Sequence, residues 1–139
     1  MDRFRPGMSA TLTHEVTADD AATRWANDAE VLATPVLLWL GEVACMRAIE
    51  NALSPGKMTV GAAHSARHLA ATPVGWVVTV EATLAEVRGR RLTFRVAAND
   101  GREAILEGTH DRFVLDATEF KAGVEDKARN RPVAQEARS

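Results

Sequence analysis

The sequence predicts an α+β protein in which one antiparallel sheet wraps a single long central helix. Three observations carry this reading. The stretch Pro35-Val-Leu-Leu-Trp-Leu-Gly-Glu-Val-Ala-Cys-Met-Arg-Ala-Ile49 is one apolar helix signal. The chain beyond it is β-rich, in strands joined mostly by turn signals. The helix positions Val36, Leu37, Leu40, Val43, Ala44 and Ile49 cover an arc wider than a surface helix needs, so the helix must be covered on several sides.

Residues 8–16 alternate weakly and read as a first strand. Thr17-Ala-Asp-Asp20 looks like an N-cap with an acidic first turn, opening a short helix toward Trp25. Residues 27–33 read as irregular. Pro35 suits the first position of the main helix, with Thr34 at or beside its N-cap. That helix is expected to run to about Leu53 and to stop at Ser54-Pro55-Gly56. Residues 58–71 and 76–87 read as strands, and Arg88-Gly89-Arg90 turns the second into residues 91–98, where Leu92, Phe94 and Val96 share a face. Asn99-Asp100-Gly101 carries a hairpin signal leading into a last strand over 103–116. Residues 119–139 are charged and poor in apolar side chains, which predicts a short helix fraying into disorder. One domain over 1–120 and a charged tail over 121–139 are expected. A strand, a helix and four further strands, with the helix held in the sheet's concave face, make a hot-dog fold.

Composition bounds the function. A chain of 139 residues with 46% hydrophobic and 26% charged residues is that of an ordinary soluble domain. A net charge of −2 gives no global attraction to nucleic acid or to an anionic membrane. The N-terminus lacks the apolar run of a signal peptide, and no stretch approaches the ~20 apolar residues of a membrane span. The single cysteine, Cys45, rules out an intrachain disulfide framework and lies inside the helix pattern, where a buried structural thiol is expected. A cytoplasmic protein is the expectation.

Thr34, Glu42 and His68 are the chemistry-bearing residues that stand out. A hydroxyl before the helix, a carboxylate two turns along it and an imidazole on a neighbouring strand could meet in one small pocket suited to cleaving an activated acyl bond. Glu42 sits in the apolar run Leu40-Gly41-Glu42-Val43-Ala44, so desolvation is expected to raise its pKa and make it a general base or nucleophile. The alternative is a helix glutamate paired with an arginine. Thr34 and Glu42 are eight residues apart, ~12 Å along a helix axis, so their contact needs a bent chain or a second subunit. His64 lies four residues before His68, on the same strand face, and is the substitute if His68 is structural. Gly61 marks either a close backbone approach to a ligand or a bulge. Arg88, Arg90 and Arg91 could take nucleotide phosphates or simply form a solvated hairpin tip. No metal-ligand spacing, phosphate-binding glycine loop or nucleophile elbow is present, so no metal or redox cofactor is implied.

An ordered series of residues resembles a known family. Thr34…Glu42-Val-Ala-Cys-Met-Arg-Ala48, Val60-Gly61, His68-Leu-Ala-Ala-Thr-Pro73, Thr79-Val-Glu-Ala-Thr-Leu84, Gly89-Arg-Arg-Leu92, Asp100-Gly101 and Gly108-Thr-His-Asp-Arg112 are similar to the fluoroacetyl-CoA thioesterase family of hot-dog proteins. The similarity covers about residues 8–120. It implies hydrolysis of an acyl-CoA thioester by a homodimer, with sites at the subunit interface and coenzyme A entering only as part of the substrate. Pairing into tetramers stays open. By position, the family's Thr–Glu–His group falls on Thr34, Glu42 and His68, its backbone contact on Gly61 and its arginine on Arg112. One departure is visible. Family members that hydrolyse fluoroacetyl-CoA carry Phe-rich sequence before the threonine, as a lid over the acyl group, where residues 27–33 of this chain have no aromatic side chain. A hot-dog hydratase or dehydratase and a non-catalytic acyl-CoA binding module are the rival readings.

Overall fold

The computed structural model describes residues 3–133. It contains β1 (Ser9–Glu15), α1 (Thr34–Ile49), β2 (Lys57–His68), β3 (Val77–Arg88), β4 (Arg91–Asn99), β5 (Ala104–Asp116) and α2 (Ala117–Arg129). The five strands form one antiparallel sheet in the order β1-β3-β4-β5-β2. The expected α+β hot-dog arrangement is observed, with α1 packed on the concave face, mostly against β3 and β1.

Strand alternation sorts the two faces. Val78, Val80, Ala82 and Leu84 of β3 point inward with Leu92, Phe94, Val96 and Ala98 of β4. They meet Leu37, Leu40, Ala44, Cys45 and Ile49 of α1 in one core. Complete burial of a side chain such as Phe94 contributes on the order of 2 kcal/mol, so these positions dominate the packing. β2 differs: it is an edge strand with no fully buried residue, and most of its side chains are exposed.

Several boundaries differ from the sequence expectation for local reasons. Residues 17–25 form two 3₁₀ turns, Ala18–Asp20 and Ala22–Trp25, rather than one helix. Asp20 Oδ2 accepts from the Thr17 backbone N–H at 2.8 Å, and Ala21 is extended, which ends the first turn at once. Helix α1 ends at Ile49 rather than Leu53, its last residues loosening into a turn ahead of Pro55. β2 stops at His68 rather than 71. There the chain leaves the sheet, and Thr72 is buried with its hydroxyl donating to Asp100 Oδ2 at 2.9 Å. Residues 27–33 have no helix or strand but are tied down by bridges from Leu32 to Ala21 and from Val31 to Pro73. α2 starts on an Asp116 cap that accepts from the Glu119 N–H at 2.9 Å, and it extends to Arg129. The expected fraying toward residue 139 falls partly on 134–139, outside the described residues.

Candidate active site

Helix α1 and strand β2 run side by side, which sets two pairs of polar side chains along their seam. At the start of α1 the N-cap is Ala33, not Thr34, and no side chain caps the helix. The Thr34 hydroxyl is turned instead to His68, with Oγ1 2.7 Å from Nδ1. Two turns on, the Glu42 carboxylate faces the middle of β2 and β5. Its Oε1 accepts from Arg112 Nη1 at 2.8 Å, and its Oε2 lies 3.1 Å from His64 Nε2.

Arg112 is 4% exposed and needs fixed partners for its charge. Its Nε donates to Thr59 Oγ1 at 2.9 Å and its Nη2 to the Thr59 carbonyl at 3.1 Å. Nη1, besides serving Glu42, reaches His110 Nε2 at 3.1 Å. His110 is 1% exposed, and its Nδ1 donates to the Ala63 carbonyl at 2.9 Å, so Nε2 is the accepting nitrogen. The His64 and His110 rings stack with centroids 4.2 Å apart and planes 17° from parallel. A β-bulge between Gly61 and Ala63 lets β2 bend here. A Cβ on Gly61 would lie 2.8 Å from Glu42 Oε1, so the absent side chain is what admits the carboxylate.

The electrostatics reverse one expectation. Burial does push the Glu42 carboxyl up, but hydrogen bonds from His64 and Arg112 outweigh it and leave the group below the ordinary carboxylate range. Glu42 is therefore an anion rather than a raised-pKa base. Burial lowers His68, against an opposing backbone contact at Ala70. Burial also lowers His110, with the Ala63 carbonyl pulling the other way. The donor atoms of Glu42, His64 and His110 lie within 4.8 Å of one another. The Arg112 guanidinium already contacts two of the three, so a cation would have to displace it. The cluster reads as an ion-pair network.

Two clefts open onto these pairs. One is lined by Glu42, Gly61, Ala62, Ala63 and His64. The other, mostly apolar, is lined by Trp25, Val31, Leu32, Pro35, Thr34 and His68. The three residues singled out from the sequence thus fall into two groups within one chain: Thr34 joins His68, while Glu42 joins His64 and Arg112. Arg91 is ion-paired with Asp111, and Arg90 lines a separate cleft with Lys57, Asp116 and Glu119, so neither reaches the Glu42 cleft. Sequence reasoning missed His110 as the partner of Arg112, although two residues apart on a strand they must share a face. It also missed Trp25, an aromatic two residues before Asn27. Trp25 borders the Thr34–His68 cleft at the end of the second 3₁₀ turn, just before Ala26 takes a left-handed conformation at φ 65°.

The model of the FlK family, described as fluoroacetyl-CoA-specific thioesterase, matches residues 16–118. The chain belongs to the fluoroacetyl-CoA-specific thioesterase family. A fluoroacetyl-CoA thioesterase from Streptantibioticus cattleyicolor is 47% identical over 98 residues, 70% of each chain. The solved structure of the fluoroacetyl-CoA thioesterase FlK is 39% identical and superimposes with a TM-score of 0.85, covering 91% of this chain and 98% of that one. A Thermus thermophilus protein described as a thioesterase superfamily member is 25% identical, with a TM-score of 0.86 over 94% of this chain and 97% of its own.

Proposed function

We propose that this protein is a thioester hydrolase that cleaves a small or medium acyl-CoA to the free acid and coenzyme A. The observation that carries the reading is the Glu42 carboxylate, anchored by buried Arg112 and held at an open cleft floored by Gly61, in a chain of this family. Hydrolysis requires water or a nucleophile brought to the carbonyl and groups to move the proton. Glu42, His64, Thr34 and His68 supply these types. No metal or redox cofactor enters the reaction.

We further read the protein as a cytoplasmic homodimer. No helix among the described residues is long and apolar enough to cross a membrane. β2 is an edge strand with unpaired backbone groups, which favours pairing with another strand. A twofold axis near Ser65, in the second half of β2, would set the His68 end of one protomer beside the Gly61–His64 stretch of its partner. Thr34 and His68 would then complete the cleft that Glu42 and His64 begin.

The test is a thiol-release panel of fluoroacetyl, acetyl, branched and aromatic CoA thioesters. Release of free thiol well above background is expected for at least one of them. Loss of enoyl absorbance from a crotonyl thioester without thiol release would indicate hydration instead. Binding without turnover across the panel would indicate a binding module.

A further inference from the structure

The three arginines of the β3–β4 hairpin are not alike. Arg88 is paired with Glu86 at 2.7 Å and Arg91 with Asp111, so both charges are already answered. Arg90 has no carboxylate partner among the described residues, and neither has Lys57 at the start of β2. These two cations line one cleft of about 300 Å³, whose apolar wall is Phe4, Val87 and Val114. Two carboxylates also border it. Asp116 is occupied in capping α2, and Glu119 is exposed. The clefts at Glu42 and at Thr34 are lined by no lysine or arginine. Register sets the charged cleft in line with the site. Lys57 lies opposite Asp116, Thr59 opposite Val114 and Gly61 opposite Arg112, so Lys57, Thr59 and Gly61 share the face on which Arg112 meets Glu42. Along the strand Lys57 stands about 13 Å from Gly61.

We propose that the Lys57–Arg90 cleft holds the nucleotide end of coenzyme A, with phosphates on the two cations and the adenine against Phe4, Val87 and Val114. The assignment rests on the thioesterase reading of the site. Between the thioester sulfur and the first phosphate ester oxygen the pantetheine arm has about a dozen bonds. At about 1.2 Å of projected length each, it spans about 14 Å when extended. A thioester carbonyl at Gly61 therefore brings the phosphates to Lys57. Arginine offers a phosphate its planar fork of donors and lysine a compact point charge, so the pair suits a group carrying several phosphates. Neither cation has to give up an ion pair to bind, whereas Arg88 would leave Glu86 and Arg91 would leave Asp111. The apolar wall, with one aromatic ring, accepts the face of a base. Glu119 opposes the phosphates by its charge. The α1–β2 seam is thus polarised, with unanswered cations at its Lys57 end and a mostly apolar cleft at its His68 end.

The test compares kcat/KM for one acyl group carried on coenzyme A and on bare pantetheine, the ratio of the two being the nucleotide preference. It is measured in wild type, Lys57→Ala, Arg90→Ala, the double variant, Glu119→Gln and the control Arg88→Ala. Calorimetry with adenosine 3′,5′-bisphosphate reads the cleft without turnover. An exposed charge pair contributes up to about fivefold in an equilibrium. The preference should therefore fall by about fivefold in each single alanine variant and by about 25-fold in the double, through KM for the coenzyme A ester. Arg88→Ala should keep the wild-type preference, and Glu119→Gln should raise it. Wild type should bind the bisphosphate and the double variant should not. A preference unchanged in the double variant, or lowered in Glu119→Gln, overturns the assignment and leaves the thioesterase reading standing. So does bisphosphate binding that is absent from wild type or survives in the double variant. A wild type that releases no thiol from any thioester overturns that reading instead, and the calorimetry then decides the cleft by itself.

Discussion

Gly61 and Cys45 show how single positions constrain the site. A methyl at Gly61 would press on Glu42 Oε1 at 2.8 Å and on His110 Cε1 at 3.4 Å. The carboxylate end can swing away, so Gly61→Ala should fold with a small change in melting temperature. Displacing a reacting group by about 1 Å costs on the order of 10²-fold, and kcat should fall by that order. Cys45 is fully buried beneath the same site, and burial pushes its thiol up to about 12. It should stay unreactive toward a thiol-modifying disulfide reagent at neutral pH and titrate only on unfolding, as absorbance would record. Glu42 itself marks the limit of sequence reading at this scale. Its apolar neighbours are plain in the sequence and suggest a raised pKa. The opposing bonds come from β2 and β5, and only the folded register supplies them.

Among elements, the loop after β2 is held by one buried carboxylate. Asp100 takes the Thr72 hydroxyl and, through Oδ1, the Arg102 and Glu103 backbone N–H groups at 3.0 Å each. The Thr72 carbonyl in turn accepts from the Leu32 N–H at 2.8 Å, two residues before Thr34. The β4–β5 turn thus fixes the segments that present both His68 and Thr34. Hydrogen bonds to a charged group contribute about 1.5 to 3 kcal/mol each, so Asp100→Ala should lower the melting temperature by several degrees and reduce kcat with it. An unchanged rate in a destabilised variant would separate this turn from the site. The strands of the sheet and the central helix were legible because alternation, Ser54-Pro55-Gly56 and Asn99-Asp100-Gly101 are local signals. The two 3₁₀ turns and the end of β2 were not, because Asp20, Thr72 and Asp100 act through side-chain bonds that periodicity does not register.

Over the whole molecule, proton linkage gives stability a direction with pH. His68 and His110 are held below the ordinary imidazole value of 6.5, so the unfolded chain binds protons there more readily. Stability from these groups is complete above about 6.5 and is lost as pH falls through their folded values. Asp20, Glu42, Asp100 and Asp111 are also lowered, from ordinary values of 3.8 to 4.5. Their contribution disappears on further acidification. Melting temperatures from pH 8 down to pH 3 should therefore decline in two stages, one below 6.5 and a steeper one below 4.5. A profile flat from about pH 8 to about pH 5 would contradict the histidine part. The hot-dog arrangement itself was legible, since one wide apolar arc needs a sheet around it. The division of the site into two clefts was not, because it depends on how α1 lies along β2.

Arg112 ties reactivity to foldedness. Its guanidinium is interior and Glu42 is its only carboxylate among the described residues. Removing that carboxylate leaves a buried cation unanswered, which costs about 3 to 5 kcal/mol. A descendant that lost Glu42 alone would forfeit much of its structure together with its chemistry. Losing this carboxylate while keeping the fold therefore takes at least two substitutions, which makes the Glu42–Arg112 pair a mark by which silent drift could be told from working enzyme.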